Sequence, residues 1–134
     1  MKTIILFLGI MLTTSCTKDN HIPNPNSQSD EILTSWNLTK YEGGFSPTFN
    51  YSNEIKWIFN LNNTIDVIIE NGTNLSSGLP INTSGNYPFT MIDSLITIEN
   101  TTYLYAINDT ILIIEDSVGL SADGKKLTFI KILE

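Results

Sequence analysis

Between Asn53 and Leu61 the chain sets Ile55, Trp57, Phe59 and Leu61 on alternate positions, with Glu54, Lys56 and Asn60 among the residues between them. A period of two is the repeat of a pleated strand with one dry and one wet face, because successive side chains point to opposite sides. The rhythm recurs, and it predicts eight strands: Leu33–Tyr41, Asn53–Leu61, Thr64–Glu70, Gly85–Met91, Leu95–Glu99, Tyr103–Ile107, Thr110–Glu115 and Lys126–Ile132. Composition points the same way. The 134 residues include 20 Ile and 16 Thr, which suit strands, but only 2 Ala, the best helix former. A helical bundle is excluded.

Asn62-Asn63, Asp93-Ser94, Asn100–Thr102, Asn108-Asp109 and Ser121–Lys125 separate the strands, and Asn and Asp tolerate the positive φ that tight turns require. Short connections imply consecutive antiparallel hairpins. Eight such strands can close into an up-and-down barrel, which removes exposed edges and leaves an interior wide enough for packed side chains or one small ligand. A two-sheet β-sandwich is the alternative, with Glu42–Tyr51 and Asn71–Ser84 as the segments long enough to cross between sheets. Within the second segment, Leu79 and Ile81 are isolated apolar residues. Pro88 has no N–H to give a ladder, so a bulge or frayed pairing is expected there.

The first thirty residues have a different character. Met1-Lys2-Thr3 is a short positive start to the apolar run Ile4–Leu12, too short for a permanent membrane helix and the right length for a secretory signal peptide over 1–15. The run ends in Leu12-Thr13-Thr14-Ser15-Cys16, which resembles the lipobox of bacterial lipoproteins. That resemblance implies a diacylated Cys16 as the first mature residue. Cys16 is also the only cysteine, so it has no internal disulfide partner. Residues 16–30 read as a lipidated tether of Asn, Pro, Ser, Asp and Gln, and contain His21, the only histidine. Thr17 stands where inner-membrane lipoproteins of Gram-negative bacteria carry Asp, which implies the outer membrane, on its periplasmic face or at the cell surface.

The barrel region 31–134 carries a second resemblance. Leu33-Thr34-Ser35-Trp36-Asn37-Leu38, Ile55-Lys56-Trp57-Ile58-Phe59-Asn60, Gly85-Asn86-Tyr87 and Asp123-Gly124-Lys125-Lys126-Leu127-Thr128-Phe129 are similar to the small lipocalin-like lipoproteins of the calycin group. The resemblance implies that Trp36 plugs one end of the barrel. Thr34 replaces the family's Gly, and Lys131 is the nearest substitute for its Arg, since the chain has no Arg. A non-catalytic binding protein for a small apolar or amphipathic ligand follows, with Trp57, Phe59, Tyr87, Phe89, Tyr103, Tyr105 and Phe129 as the inward residues. The same rings could simply fill the core. The chain would then be a structural or interaction lipoprotein that meets a protein or glycan partner through its exterior.

Other chemistries lack their residues. Seven Lys against 14 Asp and Glu give a net charge of −7, the wrong sign for nucleic acid. With His21 in the tether and Cys16 acylated, no nucleophile triad, His/Cys metal site or cofactor is expected. Gly119–Lys126 has P-loop spacing, but Lys126 stands in place of the final Ser or Thr and a strand follows, so Asp123-Gly124 reads as a hairpin turn. Asp93-Ser94-Leu95, Asp109-Thr110-Ile111 and Asp116-Ser117-Val118 are similar to an acceptor motif of bacterial O-glycosylation, at Ser94, Thr110 and Ser117, and also read as ordinary Asx turns. The lipidation reading is checked by fractionating a Cys16→Ser variant, which should leave the membrane fraction; unchanged retention refutes it.

Overall fold

The computed structural model describes residues 30–117 and 123–133; Cys16, His21, the predicted signal peptide 1–15 and most of the tether lie outside this range, as does Val118. Nine antiparallel strands form a single sheet. They are β1 (Ser35–Gly43), β2 (Phe49–Asn50), β3 (Ile55–Asn60), β4 (Thr64–Ile69), β5 (Gly85–Ile92), β6 (Leu95–Ile98), β7 (Thr101–Asn108), β8 (Ile111–Glu115) and β9 (Lys125–Lys131). From β3 onward each strand pairs with the next, and β1 pairs with β9, so eight strands close into a barrel. The up-and-down barrel is therefore the architecture, and the sandwich is not. Neither Glu42–Tyr51 nor Asn71–Ser84 crosses between sheets, because both link strands that are neighbours in one sheet.

The additional strand is a fragment of the arm that returns from β1. Lys40 pairs with Asn50 and Tyr41 with Phe49, whereas Asn37 pairs with Lys56. The returning chain thus spends six steps where β1 spends three, and Tyr51–Glu54 is the extra, unpaired length between β2 and β3. Tyr51 N–H still donates to the Thr39 carbonyl at 2.9 Å, which keeps the arm attached.

A second irregularity re-aims β1 itself. Opposite β9 the register shifts between Leu38↔Phe129 and Lys40↔Thr128, leaving Thr39 as a bulge whose hydroxyl donates to the Thr128 carbonyl at 3.0 Å. One extra residue reverses the in-out alternation. Trp36 and Leu38 point inward before the bulge and Tyr41 after it, all three buried. Pro88 produces no such shift: the β4–β5 register runs evenly from Thr64↔Pro88 to Val67↔Gly85. Pro88 sits one rung outside the β5–β6 ladder, which starts at Phe89↔Ile98, and there its carbonyl accepts from Glu99 N–H. At the end of a ladder the missing N–H costs little.

The hairpin turns use left-handed backbone, as their Asn and Asp content implies. Asn63, Asp93, Asp109 and Asp123 have φ of 60°, 55°, 47° and 62°. Glu99 shares this conformation at φ 54° without the short polar side chain that eases it. Replacing Glu99 with Gly should therefore stabilise the barrel by about 0.5–1 kcal/mol and raise the melting temperature by a few degrees. A thermal melt followed by circular dichroism reads the effect, and a lower midpoint would contradict it.

Candidate functional site

The interior is built by the inward residues of all eight barrel strands. Trp57, Phe59, Phe89, Tyr103, Tyr105 and Phe129, six of the seven residues expected to line a pocket, are buried there. They cover one another. Trp57 lies against Phe129 with ring centroids 5.0 Å apart and against Phe59 at 6.2 Å, while Phe59 meets Phe89 edge-on at 5.3 Å. Tilted and edge-to-face contacts at these separations are favourable aromatic geometry. Tyr87 is the exception. It is only half-buried, beside the β4–β5 loop, where its hydroxyl bonds to the Thr83 hydroxyl and carbonyl.

Tyr103 and Tyr105 share the inner face of β7 and are both buried. Tyr105 donates to the Asp93 carbonyl at 3.1 Å, tying β7 to the β5–β6 turn. Burial raises the phenol pKa of Tyr103, and burial likewise raises those of Tyr105 and Tyr41. One donor inside the barrel stands apart: Trp57 Nε1 is buried and has no hydrogen-bond partner among the described residues.

Both ends of the barrel are closed. At the end where the chain enters, Ile32 is fully buried and its carbonyl accepts from Trp36 Nε1 at 2.9 Å. Trp36, the expected plug, lies at the start of β1 inside this end. Lys131 is its direct cross-strand partner on β9. At the opposite end the β4–β5 loop folds inward: Ser76, Leu79 and Ile81 are buried, and the Tyr51 hydroxyl accepts from Ser76 N–H at 3.2 Å. A Cβ on Gly78 would come within 2.0 Å of the Tyr41 hydroxyl, so only glycine lets this loop seat over the ring. The sequence marked Leu79 and Ile81 as isolated apolar residues in a loop; their purpose as a lid emerges only once the barrel mouth is in place.

Two clefts lie at these ends. One, of about 310 Å³, is bordered by Phe49, Asn50, Tyr51, Glu54, Glu70 and the adjoining Asn71–Asn74 loop. Its Glu54 carboxyl is held below the usual range by backbone N–H groups of Glu54 itself and Ser52. The other, of about 330 Å³, is bordered by Asp30, Leu33, Leu61, Asn63, Phe89 and Met91. Among the described residues no three His, Cys, Asp or Glu side chains gather as a metal site would need.

The Asp-Ser/Thr pairs belong to the turns. Asp93 and Asp109 occupy the left-handed first positions, and the carbonyls of Ser94 and Thr110 accept from Tyr105 and Lys131 N–H. Ser94, Thr110 and Ser117 are all exposed. Asp123 also has a turn role, its carboxylate accepting from Phe45 N–H at 3.2 Å. Asp116 takes the Lys125 N–H at the base of the same β8–β9 connection.

No family model, curated protein or solved structure matches the chain. The chemistry of the interior is thus read from its own residues. A phenol whose folded-state pKa is raised adds stability that is complete below the unfolded value near 10 and lost as the pH climbs above it. Tyr41, Tyr103 and Tyr105 should accordingly resist ionisation until the barrel opens. An alkaline titration at the phenolate absorption band should show a late, cooperative step coincident with loss of the β-sheet signal. Smooth titration of all five tyrosines near pH 10 would show instead that water reaches these rings.

Proposed function

We propose that this chain is a non-catalytic, lipid-anchored protein of the cell envelope, similar to small lipocalin-like lipoproteins, whose barrel serves as a packed scaffold and whose exterior makes its contacts. The mutual burial of Trp57, Phe59, Phe89 and Phe129 carries this reading, because rings in contact with one another occupy interior space that a guest would need. Closure of both ends by Ile32 and the Ser76–Ile81 segment supports it. The anchor rests on Ser15-Cys16, and assignment to the outer membrane on Thr17. The partner would be a protein or a glycan met at the acidic outer surface.

A second reading, a carrier for a small amphipathic ligand, is favoured by one observation. A buried indole N–H without a partner costs about 1–3 kcal/mol, and an acceptor atom brought by a guest would offset that cost. Titrating the soluble Cys16→Ser chain with 1-anilinonaphthalene-8-sulfonate and with a fluorescent fatty acid separates the two readings. A packed scaffold predicts no saturable binding of either probe. One-to-one saturation accompanied by a change in tryptophan emission would establish the carrier and overturn the scaffold.

A further inference from the structure

Eight large apolar side chains are conspicuously exposed among the described residues, and six of them gather at one end of the barrel. Leu61 begins the β3–β4 turn. Ile92 and Leu95 flank the β5–β6 turn as direct cross-strand partners. Ile111 opens β8 opposite Ile130 of β9, and Leu133 lies just beyond β9. Leu61, Leu133 and Ile92 are 87%, 77% and 70% exposed. Phe45 alone decorates the opposite end, and Ile68 lies on the outer face of β4. The cleft of about 330 Å³ opens at the crowded end, with Leu33, Leu61, Phe89 and Met91 in its wall. Apolar side chains scattered over a surface need no explanation, but a cluster on one end of a small domain marks a contact.

The chain itself says what lies opposite. Asp30, the first described residue, borders that same cleft, and thirteen residues separate it from Cys16. At ~3.3–3.6 Å per residue, the connection spans at most about 50 Å, so an acyl group on Cys16 tethers the domain to the bilayer through this end, where the chain enters the barrel. A short connection also raises the effective concentration of the surface for the membrane, so a contact too weak for the free domain becomes occupied. Among the described residues, Asp30, Glu31, Asp93 and Asp109 place carboxylates at this end against the ammonium of Lys131, which suits a zwitterionic headgroup layer better than an anionic one.

We infer that the end formed by Leu61, Ile92, Leu95, Ile111, Ile130 and Leu133 is a bilayer seat, resting in the interfacial layer of the membrane that holds Cys16. The inference deepens the anchored-scaffold reading and rests on acylation of Cys16. It leaves the opposite mouth, with the Phe49–Asn74 cleft, facing away from the lipid.

The test uses the acylated full-length protein in phosphatidylcholine/phosphatidylethanolamine vesicles with brominated acyl chains. Leu61→Trp and Ile92→Trp put reporters in the seat, Phe45→Trp puts one at the far end, and the buried Trp36 and Trp57 form a common background. All three reporter positions are exposed, so none disturbs the core. The seat predicts blue-shifted emission and about twofold bromine quenching for Leu61→Trp and Ile92→Trp, with Phe45→Trp unchanged, as interfacial burial of ~5–10 Å requires. Equal quenching at both ends overturns the proposal. So does a blue shift without quenching accompanied by a dimer in chemical crosslinking, which would assign the surface to a second copy. Intact mass separates the premise from the inference: absence of the acyl increment on Cys16 removes the anchor and the seat together, whereas an acylated protein without quenching removes the seat alone. A glycan mass on Ser94 or Thr110, at the same end, would also overturn it.

Discussion

The pairing of β1 with β9 joins the first long strand to the last, from Trp36↔Lys131 through Gly43↔Lys125, and turns a meander into a cylinder. Its entropic cost is paid across nearly the whole domain, because the loop it closes contains every other strand. In return it removes both free edges of the sheet. An open sheet would present β1 and β9 to other chains and leave the inner face, with Trp57 and Phe129, only half covered.

The same ladder carries the irregularity that closes the far mouth. The Thr39 bulge turns Tyr41 inward at the level where the β4–β5 loop descends. Gly78 lies on the Tyr41 ring, and Ser76, Leu79 and Ile81 fill the space beside it. The extra Tyr51–Glu54 length on the other side of β1 answers it by placing the Tyr51 hydroxyl where it meets Ser76 N–H. Two local departures from regular pairing thus assemble a lid from a segment that has no secondary structure of its own. At the other end, Ile32 and Trp36 close the barrel with a single buried hydrogen bond.

These closures give the barrel two chemically different ends around a filled middle. One is dominated by polar loops and a cleft containing Glu54 and Glu70. The other carries most of the exposed aliphatic side chains and receives the chain from its amino-terminal segment. Among the described residues, the Trp57 indole N–H is the one buried side-chain group without a hydrogen-bond partner.

Alternation such as Ile55-Lys56-Trp57 determined, from the chain alone, that strands form and which faces are dry; local side-chain periodicity needs no partner to be read. The Asn and Asp turns were legible for the same reason, since left-handed backbone is a property of single residues. Eight of the nine described strands could be located within a few residues, and six of the seven rings expected to face inward are buried. Glu99 at a left-handed position, the unshifted register at Pro88 and the bulge at Thr39 were not visible, because each is set by the strand opposite. Barrel rather than sandwich, Ile32 and Leu79 as closures, and the gathering of Leu61, Ile92 and Leu133 at one end were likewise decided by the tertiary structure. These residues are far apart along the chain, and only the closing of the cylinder brings their positions together.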